Sequence, residues 1–213
     1  ALGFLTNYDS LIGAAFIVAC REYGIHSVDI QHGLTGDNHL AYGSFQKIAA
    51  TGYEVLPSFF WCWSAYEVDT IKKWNKNVAN IHQPFLGGNL WANVWLDAAN
   101  PMISQYDTRV SEIFSGPEGQ VIILYSPSIP ADLQPWIFET IKMSPPHYQW
   151  LLRLHPAGYI PNNLAVDTLR EHNVLTRVNL DKATSFPLVA LLRHVDVNVT
   201  ASSTTVFDAE CFG

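Results

Sequence analysis

Charged side chains are scarce in this sequence. Asp, Glu, Lys and Arg together make up 15% of 213 residues, and the balance is acidic, with a formal net charge of −7. No cluster of Lys or Arg occurs. Lys72, Lys73 and Lys76 come closest, and their spacing reads as the solvated face of one helix. A nucleic-acid binder needs a basic stripe to neutralise phosphates, so that class is excluded. One phosphorylated small ligand is not excluded, because backbone N–H groups can hold it. A surface this poor in charge also points to cover by a partner, by further polypeptide or by a membrane.

Other absences narrow the field. The three cysteines, Cys20, Cys62 and Cys211, are far apart and sit among apolar residues, so they read as buried thiols of a reducing cytoplasm. The eight histidines include no pair with metal-ligand spacing, and no metal site is expected. The longest apolar run, 11–20, is too short for the roughly 20 residues of a spanning helix. Neither a Gly-x-Gly-x-x-Gly fingerprint nor a P-loop is present. The chain starts at Ala1 and stops at Gly213 just after a helix-like stretch, and it reads as an excerpt of a longer protein.

What is present is a globular α/β pattern, 48% apolar. Helices are predicted at 11–20, 65–74, 101–114, 132–143, 166–171 and 186–192, with a last one after Thr205. Strands are predicted at 26–30, 59–64, 78–81, 121–125, 150–154, 174–178 and 195–200. Short connections between alternating strands and helices imply parallel sheets. The expected division is a first Rossmann-like unit at 1–86, a linker with a connecting helix at 87–119, and a second Rossmann-like unit at 120–213. Both units are expected to be incomplete.

The unusual polar residues fall where predicted strands end, which is where open α/β sheets bind ligands. Gln31-His32-Gly33 leaves the strand at 26–30, and a histidine there can act as a general base. Gln31, Gly33 and Gly88 would line the same crevice. His155-Pro156 ends another strand, with proline fixing the direction of the chain. Ser202-Ser203-Thr204-Thr205 supplies four hydroxyls at the start of a helix, suited to a helix cap and an anion. Glu210 follows on that helix. Each feature alone also has a plain structural reading as a turn or a cap.

Together these residues resemble a known group. Val28-Asp29-Ile30-Gln31-His32-Gly33 resembles a V-D-x-Q-H-G signature of bacterial surface-polysaccharide biosynthesis proteins. His155-Pro156 with Ser202-Ser203 is similar to the H-P and S-S motifs of GT-B glycosyltransferases that use CMP-activated sugars. These include sialyl-, polysialyl- and Kdo transferases, and CDP-glycerol glycerophosphotransferases look similar in the same places. The resemblance implies a cytoplasmic glycosyltransferase of capsule or surface-polysaccharide biosynthesis, peripheral at the inner membrane through parts outside this chain. Its substrate would be a nucleotide-sugar, with a CMP-sugar as donor and a carbohydrate or lipid-linked glycan as acceptor, and no tightly bound cofactor. His155, Ser202, Ser203 and Thr204 would hold the donor phosphate, Glu210 would lie near the ribose, and His32 would serve the acceptor as catalytic base. The acidic motif of sialyltransferases is not evident. Two other readings stay open: a sugar-nucleotide epimerase of similar architecture, and a non-catalytic nucleotide-sugar-binding domain.

Overall fold

The structure is a computed structural model describing all residues except Gln46, Ala98, 115–118, Ser202 and Gly213. They form two compact units, Ala1–Leu90 and Trp91–Gly213. Each has a four-stranded sheet in which every observed pairing is parallel.

The first unit contains β1 (Leu2–Leu5), α1 (Leu11–Glu22), β2 (His26–Ile30), β3 (Phe59–Cys62), α2 (Ala65–Trp74) and β4 (Gln83–Leu86). Ser10 caps α1 by accepting from the Gly13 amide, and Gly24 at φ +65° lets the chain turn back toward β2. Ser64 and Glu67 form a reciprocal capping box at the start of α2. The strand order β1-β2-β3-β4 is strictly sequential. Right-handed crossovers that advance in one direction place every connection on the same face of the sheet. The core lies on that face, where Ile17 of α1 and Val68 and Ile71 of α2 meet Phe60 and Cys62 of β3.

The second unit contains α3 (Leu90–Leu96), α4 (Pro101–Ser111), β5 (Val121–Tyr125), α5 (Pro135–Met143), β6 (Tyr148–Leu152), α6 (Asn162–Glu171), β7 (Val178–Asn179), α7 (Asp181–Ser185), α8 (Leu188–Leu192), β8 (Val197–Val199) and α9 (Thr205–Glu210). The strand order is β7-β6-β5-β8. The chain therefore moves outward from β5 through β6 to β7, then crosses back to lay β8 on the far side of β5. That reversal puts helices on both faces. Ile137, Phe138 and Ile141 of α5 and Leu169 of α6 pack with Ile123 and Leu152 on one face. Ile103 and Val110 of α4 and Val189–Leu192 of α8 pack with Leu124 and Leu151 on the other.

Several predicted elements move. Residues 78–81 are a hydrogen-bonded turn following α2, with Val78 fully buried, and the strand is β4, five residues on. Leu86 is the last residue of β4. β4 contains Pro84, which an edge strand tolerates because its missing N–H faces away from the ladder. The stretch predicted as a strand at 174–178 is a 3-10 turn, Leu175–Arg177, leading into the two-residue β7. Helices α3 and α7 were not predicted, and α4 ends three residues earlier than its pattern suggests.

Candidate functional site

The reversal of strand order in the second sheet makes the carboxyl ends of β5 and β8 a topological switch point, the kind of place where open α/β sheets bind ligands. The register identifies what stands there. Tyr125 pairs with Leu152 on one side and Val199 on the other, so the next residues, Arg153, Ser126 and Thr200, form a row across three strand ends. Backbone bonds carry the ladder one step beyond the strands: the Arg153 amide donates to Tyr125 O at 2.9 Å and the Ser126 amide to Val199 O at 3.0 Å. Thr200 Oγ1 donates to Ser126 O at 3.2 Å.

This row has unused polar capacity. Arg153 is half-buried, and its guanidinium makes one long bond, Nε to Phe186 O at 3.4 Å, with no carboxylate partner among the described residues. Burial pulls its pKa down from the ordinary arginine value. A buried cation normally has a paired anion. Ser126 Oγ and Thr205 Oγ1 are buried without a hydrogen-bond partner, as is Asn198 Oδ1 of β8. Unsatisfied buried polar atoms are uncommon in folded proteins, and here three of them flank the same strand ends.

His155 lies two residues beyond Arg153. The Gly158 amide donates to His155 O at 3.0 Å, and Gly158 at φ +71° closes the turn. The Ala157 amide donates to His155 Nδ1 at 3.1 Å, and Tyr159 stacks on the ring at 5.1 Å between centroids. An Nδ1 that accepts a hydrogen bond leaves the proton of the neutral ring on Nε2. His155 is therefore held as a donor at Nε2. Leu154 is tied to the adjacent chain through its amide, which donates to Thr184 Oγ1 at 3.2 Å.

Ser202 lies outside the described residues. Ser203 is half-buried: its amide donates to Thr200 Oγ1 at 3.3 Å, and its Oγ accepts from the Thr205 amide at 3.3 Å. Thr204 is exposed and its side chain does not cap α9. Glu210 is exposed at the last residue of α9, about 7.5 Å along the axis from Thr205 at 1.5 Å per residue. The strand ends of the second unit thus carry Arg153, Ser126, Thr200, Ser203 and Thr205 as near neighbours along the backbone ladder and its hydrogen bonds, with His155 on the turn that follows Arg153.

In the first unit, His32 follows β2 and its side chain is exposed, with no hydrogen bond to the ring among the described residues. Nearby protein lowers its pKa below the ordinary histidine value through desolvation. Asp9 works in the opposite direction and His39 adds to the lowering. Gln31 is buried, and its side chain is committed: Oε1 accepts from the Trp63 amide at 2.7 Å and Nε2 donates to Gly33 O at 2.9 Å. It braces the turn from beneath instead of lining a surface. Gly33 has open space where a Cβ would stand. Gly88, at φ +74°, accepts from Trp61 Nε1 at 2.9 Å. Asp29, almost wholly buried, accepts from the Tyr8 amide at 3.2 Å and from Tyr42 Oη at 2.7 Å. Burial raises its pKa to about 6 against the lowering effect of those two bonds.

Other histidines have structural work. His82, fully buried, donates from Nδ1 to Pro57 O at 2.7 Å and accepts at Nε2 from the Tyr53 amide, so it is held neutral, and burial lowers its pKa. His194 and Arg193 share Asp107 at 2.7 Å and 3.1 Å, joining α8 to α4. No group of side chains suited to a metal ion occurs among the described residues, and no described helix is long and apolar enough to cross a membrane.

Sequence reasoning did not single out Arg153 or Ser126. The first had a usable signal: Arg153 precedes His155 by two residues, so both leave the same strand end in a chain with few cations.

No protein-family model matches the chain, and no curated protein matches it. Solved structures do. The wall teichoic acid polymerase TagF, in a variant soaked with CDPG, is 13% identical over 89% of this chain and 47% of its own, with a TM-score of 0.57. Anabaena Alr3699/HepE in complex with UDP-glucose is 11% identical over 99% of this chain and 57% of its own, with a TM-score of 0.52. The chain shares their fold. Its two parallel four-stranded α/β units correspond to about half of such a GT-B glycosyltransferase chain.

Proposed function

We propose that this chain is part of a glycosyltransferase that moves a sugar from a nucleotide-activated donor, CMP-linked in the first instance, to a surface-polysaccharide acceptor. The observation that carries the reading is Arg153, whose guanidinium has no carboxylate partner among the described residues and whose backbone stands in one row with Ser126 and Thr200 at the strand-order switch. Such a row suits a phosphate ester. Arg153 would supply the compensating charge, His155 Nε2–H a directed donor, and Ser203 with Thr205 the neighbouring hydroxyls. Ser202, Thr204 and Glu210 belong to the same proposed donor side, through the resemblance to enzymes with H-P and S-S motifs. The second unit, 120–213, would hold the donor and the first, 1–86, would serve the acceptor.

Transfer breaks the bond between the sugar and the departing phosphate. Positive charge and N–H donors fixed in advance lower the barrier by stabilising the charge that develops on the phosphate. His32 is the proposed base for the acceptor hydroxyl. A pKa below the ordinary histidine value keeps its imidazole neutral, and so able to accept a proton, at neutral pH.

A thermal-shift series with CMP, CDP, UDP and GDP tests the donor side. Stabilisation by cytidine nucleotides that is lost in Arg153→Ala supports the reading. A response to none of the four would overturn it. Tight nucleotide binding with no transfer by the complete protein would favour a binding domain instead.

A further inference from the structure

Asp29 stands inside the first sheet, paired with Leu5 of β1 on one side and Phe60 of β3 on the other, and is 1% exposed. That is a costly place for a carboxyl group. It has no cation partner among the described residues, and Asp9, whose charge does reach it, has the same sign. An apolar side chain there would avoid the penalty of desolvating a charge. The hydrogen-bond partners of the carboxyl all lie on loops.

Oδ1 accepts from the Tyr8 amide, on the loop 6–10 between β1 and α1. Oδ2 accepts from Tyr42 Oη, on the long connection 31–58 between β2 and β3. The two loops are also joined to each other, because Tyr8 Oη donates to Ala41 O and the Tyr8 and Tyr42 rings meet edge to face at 5.1 Å between centroids. Trp74 of α2 holds Tyr42 from a further side, donating from Nε1 to its carbonyl at 3.0 Å. Strand, loop and loop thus close a triangle. A buried polar network with its bonds made rigidifies the chain around it.

The same two loops set the surroundings of His32. Asp9 follows Tyr8, and the His39 ring packs on the Tyr42 ring at 4.9 Å. His39 Nδ1 also accepts from the Ala41 amide at 3.1 Å. Burial by neighbouring protein lowers the His32 pKa most, Asp9 raises it and His39 lowers it, and Asp29 is not among the groups that act. An influence of Asp29 on His32 therefore passes through the loops.

We propose that Asp29 is a positioning residue for His32: through Tyr8 and Tyr42 it holds the loops 6–10 and 31–58 in place around the imidazole of the proposed acceptor base. The proposal rests on the reading of His32 as that base, but its test uses no turnover. Gln31 braces the turn itself separately, so Asp29 governs what surrounds the ring.

NMR titration of the histidine rings in the complete protein tests it, with the His32 signal assigned by its loss in His32→Gln. Asp29→Ala removes both loop bonds, and Tyr42→Phe removes one hydroxyl. Asp29→Asn keeps an acceptor for the Tyr8 amide and a polar partner for Tyr42 Oη, without the charge. In Asp29→Ala and Tyr42→Phe the His32 pKa should rise by about 0.5 or more toward the ordinary histidine value, as water reaches the ring. In Asp29→Asn it should keep the wild-type value. An unchanged His32 pKa in Tyr42→Phe would overturn the proposal, and so would a shift in Asp29→Asn as large as in Tyr42→Phe. Should Asp29→Ala not fold, the other two variants decide. A merely structural role lowers the unfolding midpoint and leaves the titration alone. Transfer that survives in His32→Gln would remove the base reading, while the titration result would stand.

Discussion

The Ala157 amide points at Nδ1 of His155, 3.1 Å away, and thereby decides which nitrogen of that ring carries its proton. The stacked Tyr159 ring holds the imidazole in that plane. His155 consequently presents Nε2–H at all pH values where it is neutral.

Replacing His155 by Ala should weaken nucleotide binding by about tenfold to a hundredfold, the range of one hydrogen bond to a charged group at about 1.5–3 kcal/mol. Titration calorimetry with the complete protein measures it. Unchanged affinity and turnover would remove His155 from the donor site. Nitrogen-15 spectra of the ring should show the Nε2–H tautomer before any ligand is added.

Arg153→Lys is expected to behave nearly as badly as Arg153→Ala. The ammonium keeps the charge but loses the planar fork that can meet two oxygens at once. The expected loss in nucleotide affinity is about a hundredfold for Ala and at least tenfold for Lys. Because Arg153 has no carboxylate partner among the described residues to be left behind, the unfolding midpoint without ligand should hold steady or rise. A large fall in stability would mean that Arg153 is structural.

Asp29 should make the first unit less stable as pH rises. Its folded pKa of about 6 lies above the ordinary carboxylate value of 3.8. The folded form therefore holds the proton more tightly. The stabilisation is complete below about pH 4, is lost as pH rises through about 6, and is flat beyond. The full swing is up to about 3 kcal/mol at 1.36 kcal/mol per unit. Asp29→Asn cannot titrate, so its stability relative to wild type should improve between pH 4 and pH 7 in denaturant melts. A pH-independent difference would rule out the raised pKa.

Gly87→Ala should destabilise the first unit by about 1–3 kcal/mol through overpacking. A Cβ there would stand 2.1 Å from the Trp61 ring, displacing it and breaking its bond to Gly88 O. Urea unfolding followed by tryptophan fluorescence gives the number. An unaffected midpoint would mean that the ring moves freely.

Strands β2 and β5 were legible at their true boundaries, and so was α2. What failed has a common physical cause. β4 contains a proline and β7 is two residues long, so neither offers a pattern, and pairing with an already formed neighbour makes them strands. Residues 78–81 have an apolar run for a different reason: Val78 is buried in a turn. For the site, the sequence pointed to the strand ends because dipeptides such as His155-Pro156 are local. It could not reveal that Arg153, Ser126 and Thr200 stand side by side, since that depends on β8 returning to the far side of β5.

The lone guanidinium of Arg153 has a kinetic corollary. The chain as a whole carries −7, so an anionic nucleotide bound as proposed would approach against repulsion and feel Arg153 only within about 8 Å at physiological ionic strength. Added salt should therefore speed encounter while also speeding escape. That is the reverse of steered association, in which salt slows the approach.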